Sequence, residues 1–165
     1  MSFVSPALDI AKIEQKWLAR GRPYPYGTNA SLQAVAGNAH VFGNYLACIA
    51  AKAYDFGDSP NYIFINSLSI EGMSENGIYV LELYKYDGNA TYTPIGAVRF
   101  TRTSVQTRSF IVPFDSREVN IDTHSIVAKL KCSTGAATVN FSLNVLRHIP
   151  VSASIPASTG TFPTG

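Results

Sequence analysis

The sequence predicts a mainly β chain: an antiparallel β-sandwich of jelly-roll type with a short N-terminal helix and extended termini. Three observations point there. Charged residues make up only 15% of the chain, while Tyr and Phe number nine each, a balance that suits stacked strands. Short apolar runs follow one another after Pro60, separated by turn residues. Above all, Ser125–Arg147 alternates strictly: Ala137, Val139, Phe141, Leu143 and Val145 interleave with Thr138, Asn140, Ser142 and Asn144. Successive side chains on a strand point to opposite faces, so every apolar group in that run shares one face.

The first half of that stretch repeats the pattern. Ile126, Ala128, Leu130 and Cys132 take one face; Val127, Lys129 and Lys131 take the other. Ser133-Thr134-Gly135-Ala136 lies between, and the pair reads as a β-hairpin with one buried and one wet face. A lone hairpin is marginal in water, so the apolar face requires a second sheet.

In chain order, Ser5–Arg20 reads as the helix. Ser5 caps it, Pro6 suits its first turn, and Gly21 follows Lys16 and Arg20. Ile10, Ile13 and Trp17 form a stripe flanked by Leu18, which either packs on its own sandwich or docks on a neighbouring subunit. Arg22–Asn38 is irregular and turn-rich, with Tyr24 and Tyr26 as anchors for a loop or a partner. Val41-Phe42 and Tyr45–Tyr54 read as strands, and Gly57-Asp58-Ser59-Pro60 is a break.

Asn61–Glu71 is apolar on both faces early, which fits a central strand or a bulge. Ile78–Tyr86 and Ile95–Thr103 follow. Arg108–Phe114 groups Phe110, Val112 and Phe114, and Pro113 marks an edge or a strand end. Asp115–Thr123 is a polar connection around Val119 and Ile121. Six strands after Pro60 and two before it make the eight of a jelly roll. The domain reading is a helix and arm at 1–38, a sandwich at 39–148 and, at 149–165, an extended or flexible tail, either frayed or an arm that pairs with a neighbouring chain. The tail carries no charge and offers Ile149, Val151, Ile155 and Phe162 as pegs for a neighbouring chain.

Chemistry is sparse. His40, His124 and His148 lack ligand spacing, and no nucleophile motif occurs. Glu71, Glu75 and Glu82 are the carboxylates that could pair, and Asp55 and Asp58 flank Gly57 without completing a calcium loop. Cys48 and Cys132 are too few for a disulfide framework; Cys132, in phase with the buried face, reads as a core thiol. Arg99, Arg102 and Arg108 lie in an acid-free tract and, with Lys129 and Lys131, could meet phosphates or an acidic protein surface. A net charge of +2 gives nucleic acid no support. No secretory signal is visible, and the longest apolar run, Tyr45–Ala51, falls short of the roughly 20 residues a spanning helix needs. Synthesis in a cytoplasm and no membrane partner follow as expectations. No cofactor and no catalysis are expected.

The runs Tyr62–Glu71, Gly77–Tyr84, Val98–Arg102 and Ile126–Leu130 together resemble the β-sandwich of tailed-phage structural proteins, notably head decoration (cement) proteins. The resemblance covers Asn61–His148. It implies a non-enzymatic virion protein on the capsid exterior, made in the bacterial host cytoplasm. It further implies a dimer or trimer that bridges subunits of the major capsid protein. Ile13, Trp17, Leu18, Tyr24 and Tyr26 are the interface candidates. A second reading is a receptor- or glycan-binding module of a tail or head fibre, with Tyr84, Tyr86 and Tyr92 as an aromatic surface.

Overall fold

Alternating sequence becomes strand throughout the residues described by the computed structural model, which are 22–25, 30–57, 60–103 and 109–148. They form β1 (Arg22–Tyr24), β2 (Leu32–Val35), β3 (Leu46–Ile49), β4 (Tyr62–Met73) and β5 (Gly77–Tyr86). Then come β6 (Tyr92–Arg102), β7 (Phe110–Pro113), β8 (Val119–Asn120), β9 (Ser125–Cys132) and β10 (Thr138–His148). A six-stranded sheet has β10 and β4 at its centre, with β1 and β2 along one side of β10 and β7 and β8 along the far side of β4. A four-stranded sheet runs β3-β9-β5-β6. Every pair of neighbouring strands is antiparallel. The expected helix at Ser5–Arg20 and the tail at 149–165 lie outside the described residues.

One core joins the two sheets in a sandwich-like arrangement. Ile63, Leu68, Val139, Phe141 and Leu143 enter it from the six-stranded sheet; Tyr79, Leu81, Leu83, Ala128 and Leu130 enter it from the other. All ten are fully buried. Each large apolar group so buried is worth roughly 1.5–3 kcal/mol before chain entropy is counted, so this shared interior holds the layers together. Cys48 and Cys132 are free, buried thiols, and Cys132 belongs to the core as its phase predicts.

The hairpin at Ser125–Arg147 does not form. β9 and β10 lie in opposite sheets, and the turn between them is an arch across the end of the sandwich. Alternation and a short turn fit either geometry. In a hairpin both apolar faces would look the same way from one sheet; in the arch they meet across the core, and each buries the other. The arch is tied down by Ser133, whose amide donates to the Ile78 carbonyl at 3.0 Å. Gly135, at φ +91°, supplies the left-handed residue it needs.

Other differences have local causes. β4 is central, and it also carries bulges. Ser67 pairs with Asn144 while Ile65 pairs with Val145, so Asn66 is an extra residue. The inward set therefore changes phase from Ile63 and Ile65 to Leu68 and Ile70. The stretch Arg22–Asn38, read as irregular, contributes β1 and β2, both paired with β10. Tyr45–Tyr54 yields only β3, and Val41-Phe42 is not strand. The described strands thus number ten, three of them before Pro60, against the eight expected. Pro113 lies on β7 at a sheet edge, as its missing amide requires.

The chain changes sheets after β2. Ala36 donates its amide to Ala137 and bridges Leu130 of the other sheet. Seven residues later the Gly43 amide donates to the Leu130 carbonyl at 2.9 Å. A side chain at Gly43 would place its Cβ 1.9 Å from the Val35 carbonyl oxygen, so only glycine fits this crossing.

Candidate functional site: a tyrosine-lined cleft

Because Tyr79, Leu81 and Leu83 point inward, their neighbours on β5 point outward. Register aligns Glu82 with Lys129, Tyr84 with Val127 and Tyr86 with Ser125 on β9, and Tyr86 with Tyr92 on β6. Tyr45, just before β3, reaches the same surface. The Tyr92 ring stacks on Tyr45 at 3.9 Å with 5° between planes, and on Tyr86 at 4.4 Å with 12° between planes. Two rings cannot share one face at such separations, so Tyr92 is held between them. Lys129 Nζ lies 4.0 Å from the Tyr45 centroid, on the face Tyr92 leaves open. The order is therefore ammonium, Tyr45, Tyr92, Tyr86. Offset ring stacking and an ammonium over a ring are both attractive through the quadrupole of the aromatic face. Tyr84 meets Tyr45 edge-on at 5.4 Å.

The titratable groups follow their surroundings. Tyr84 Oη donates to the Glu82 carboxylate. Burial first, then that carboxylate, holds the Tyr84 phenol well above its usual range. Burial and the adjoining Tyr86 phenol raise Tyr92. In the β5–β6 turn, Asp87 Oδ1 accepts from the amides of Asn89, Ala90 and Thr91 at 2.9, 3.1 and 3.0 Å. These donors bring its carboxyl down to about 2. These bonds close the turn, and Gly88, at φ +84°, completes it. Burial raises the Cys48 thiol, which leaves it protonated and inert.

Beside the stack lies a cleft of about 640 Å³. Tyr45, Tyr86 and Tyr92 line one side, with Asp87 and Gly88 at the turn; Thr123, Ser125 and Val127 line another, and Tyr24 and Ala47–Ala51 complete it. Its volume lies within the range of small-ligand sites, roughly 300–1,000 Å³, and its walls share their character: mostly apolar with a few polar groups.

The structure separates other candidates. Tyr24 sits in β1, half-buried, its ring 6.4 Å from Tyr54. Ile13, Trp17, Leu18 and Tyr26 lie outside the described residues, as do Asp58 and Arg108. Tyr84, Tyr86 and Tyr92 do come together, but Tyr84 is engaged with Glu82 and Tyr92 has both faces covered. Lys129 and Lys131 spend their charge on rings, Lys131 Nζ lying 4.7 Å from the Phe42 centroid. Arg99 is exposed on the edge strand β6. Glu71 is on the six-stranded sheet and Glu82 on the other, so no trio of carboxylates assembles with Glu75. Asp55 accepts from the Gly57 amide at 2.9 Å, a turn-forming role. His124 Nδ1 lies 2.8 Å from Thr123 Oγ1, and His40 is an exposed turn residue at φ +63°. Among the described residues no three His, Cys, Asp or Glu side chains gather to hold a metal.

Sequence reading missed Tyr45. It lies outside the alternating runs, and an aromatic residue just ahead of a strand was the sole signal for it. No protein-family profile matches the chain, and no curated protein matches it either.

Proposed function

We propose that this chain is a structural virion protein, a non-enzymatic decoration (cement) protein whose jelly-roll-like sandwich binds the exterior of a phage head and bridges major capsid subunits. One observation carries the reading, the nesting of strand pairs. β5 pairs β6, β4 pairs β7 and β8, β3 pairs β9, and β2 pairs β10. That is one long antiparallel ribbon, folded over so that its halves alternate between two sheets. Such wrapping supports a jelly roll, an architecture that capsid and lectin domains use. The fold alone does not carry the activity. The resemblance of the strand runs to head decoration proteins, and the uncharged sequence of 149–165, add to it.

The mechanism is thermodynamic. Copies that bind only the assembled shell stabilise it by mass action, and a homodimer or trimer raises the effective concentration of each contact. The apolar stripe of Ile13, Trp17 and Leu18, with Tyr24 and Tyr26, is the proposed contact. The protein is made in the host cytoplasm and works on the virion surface, without cofactor, membrane or nucleic acid. The experiment is decoration of purified empty heads by the full chain and by its Trp17→Ala/Leu18→Ala variant, followed by cryo-electron microscopy. The parent should coat heads at a fixed lattice position and the variant should not. Absence of the parent from heads would refute the reading.

A further inference from the structure

We infer that the cleft beside Tyr86 binds the ring of a neutral saccharide. This goes beyond the virion reading and does not rest on it. Tyr86 is the end member of the ring stack, with one face against Tyr92 and the other not covered by the stack, and it lines the cleft. A pyranose presents C–H bonds on its faces and hydroxyls around its rim. The C–H bonds carry partial positive charge and pack on the electron-rich face of an aromatic ring, as cations do more strongly. A flat purine or an alkyl chain could use that face as well. The rest of the lining separates these ligands.

The polar residues Thr123, Ser125 and Asp87 line the same cleft, with Thr123 Oγ1 already 2.8 Å from His124 Nδ1. Asp87 is ionised near neutral pH; three backbone amides donate to Oδ1 and the Thr91 side chain also bonds the carboxylate, so what it offers the cleft is a fixed negative charge that favours hydroxyl donors over anions. An alkyl chain would strip water from these groups and return no hydrogen bond. No Lys, Arg or His is found among the described lining residues, and the nearby Lys129 ammonium sits on the far side of Tyr45. An anionic sugar or a nucleotide would therefore meet a carboxylate with no counter-charge. What remains is a ligand with an apolar face and a neutral hydroxylated rim. The volume of about 640 Å³ accommodates one to two sugar rings. The stack makes the site preformed, since Tyr86 cannot rotate freely without losing its contact with Tyr92.

The test uses the full-length chain and amide-resolved NMR. The panel holds the methyl glycosides of glucose, galactose, mannose and N-acetylglucosamine, together with maltose, lactose, 3′-sialyllactose, AMP and hexanol. At least one neutral saccharide should shift the signals of Tyr86, Asp87, Thr123 and Ser125 at concentrations of about 1–10 mM, the range of a single weak site. Tyr86→Ala should weaken that binding about tenfold or more, while Tyr86→Phe, which keeps the ring, should leave it within about threefold. Ala47→Trp, an exposed position at the cleft wall, should fill the site and abolish binding without touching the core. Far-ultraviolet circular dichroism confirms that each variant is folded. The inference is overturned if no neutral member binds at about 50 mM. It is equally overturned if only sialyllactose, AMP or hexanol binds, or if saccharide binding survives Ala47→Trp.

Discussion

On the six-stranded sheet the outward side chains along β10 and its neighbours include paired amides, with the apolar Val35 and Ile111 exposed on β2 and β7; on the four-stranded sheet they include an aromatic stack capped by an ammonium. Gln33 Nε2 donates to Asn140 Oδ1 at 3.0 Å, and Asn144 Nδ2 to Asn66 Oδ1 at 2.6 Å, with Ser67 and Ser69 half-buried nearby on β4. Across the molecule, Tyr45, Tyr86 and Tyr92 stack under Lys129. Both surfaces come from strands with the same apolar inner half, and both inner halves feed one core. Inward positions settle whether the layers close. Outward positions are not needed to close the layers, so they are where the two sheets can differ. One carries paired amides and the other an aromatic stack beside a cleft.

The largest expected effect lies between the faces, where the sheets should be equivalent. Phe141→Ala and Leu81→Ala, each a fully buried group from a different sheet, should both cost about 2–5 kcal/mol by urea denaturation. A large cost on one side only would mean that the layers do not share a core. Outside, the comparison should become unequal. Tyr92→Ala removes two stacked contacts, each worth about 0.5–1.5 kcal/mol beyond area, and should cost about 1–3 kcal/mol. Asn144→Ala on the opposite surface removes an exposed amide hydrogen bond and should cost only about 0.5–1 kcal/mol. Equal losses at these two positions would dissolve the distinction.

The smallest effect is a pH dependence at the cleft turn. The Asp87 carboxyl lies below its ordinary 3.8, near 2, because its charged form collects backbone donors. Its stabilisation is therefore complete above the unfolded value and fades as pH falls from about 4 through about 2. Asp87→Asn should flatten that part of a stability–pH profile while leaving stability near neutrality slightly lower. Thermal melts between pH 2 and 6 on both proteins read the difference. An unchanged profile would show that the carboxylate is not held as described.

Inward faces were legible where alternation is strict. Val139, Phe141 and Leu143 on β10, and Ala128, Leu130 and Cys132 on β9, are buried as their period requires. The edge position of β7 was legible from Pro113. The change of phase at Asn66 was visible as conflicting apolar sets in β4, though not the residue that causes it. Of the cleft, Tyr86 and Tyr92 were legible as outward aromatics around the Asp87 turn. Tyr45 was not, because it approaches from a segment without period, and its partner Lys129 lies more than eighty positions further along the chain.

Side-chain direction along a strand is a local property of the backbone, so the chain's residue order settles which groups seek the interior, and where turns must fall. Choosing a strand's neighbour is a long-range matter. Ser125–Arg147 satisfies its own alternation equally as hairpin or arch, and the opposing layer breaks the tie: the arch lets both apolar faces bury each other. Pairing of β3 with β9, in the sheet that also holds β5 and β6, brings Tyr45 onto Tyr92 beside the cleft, which no run of adjacent residues contains.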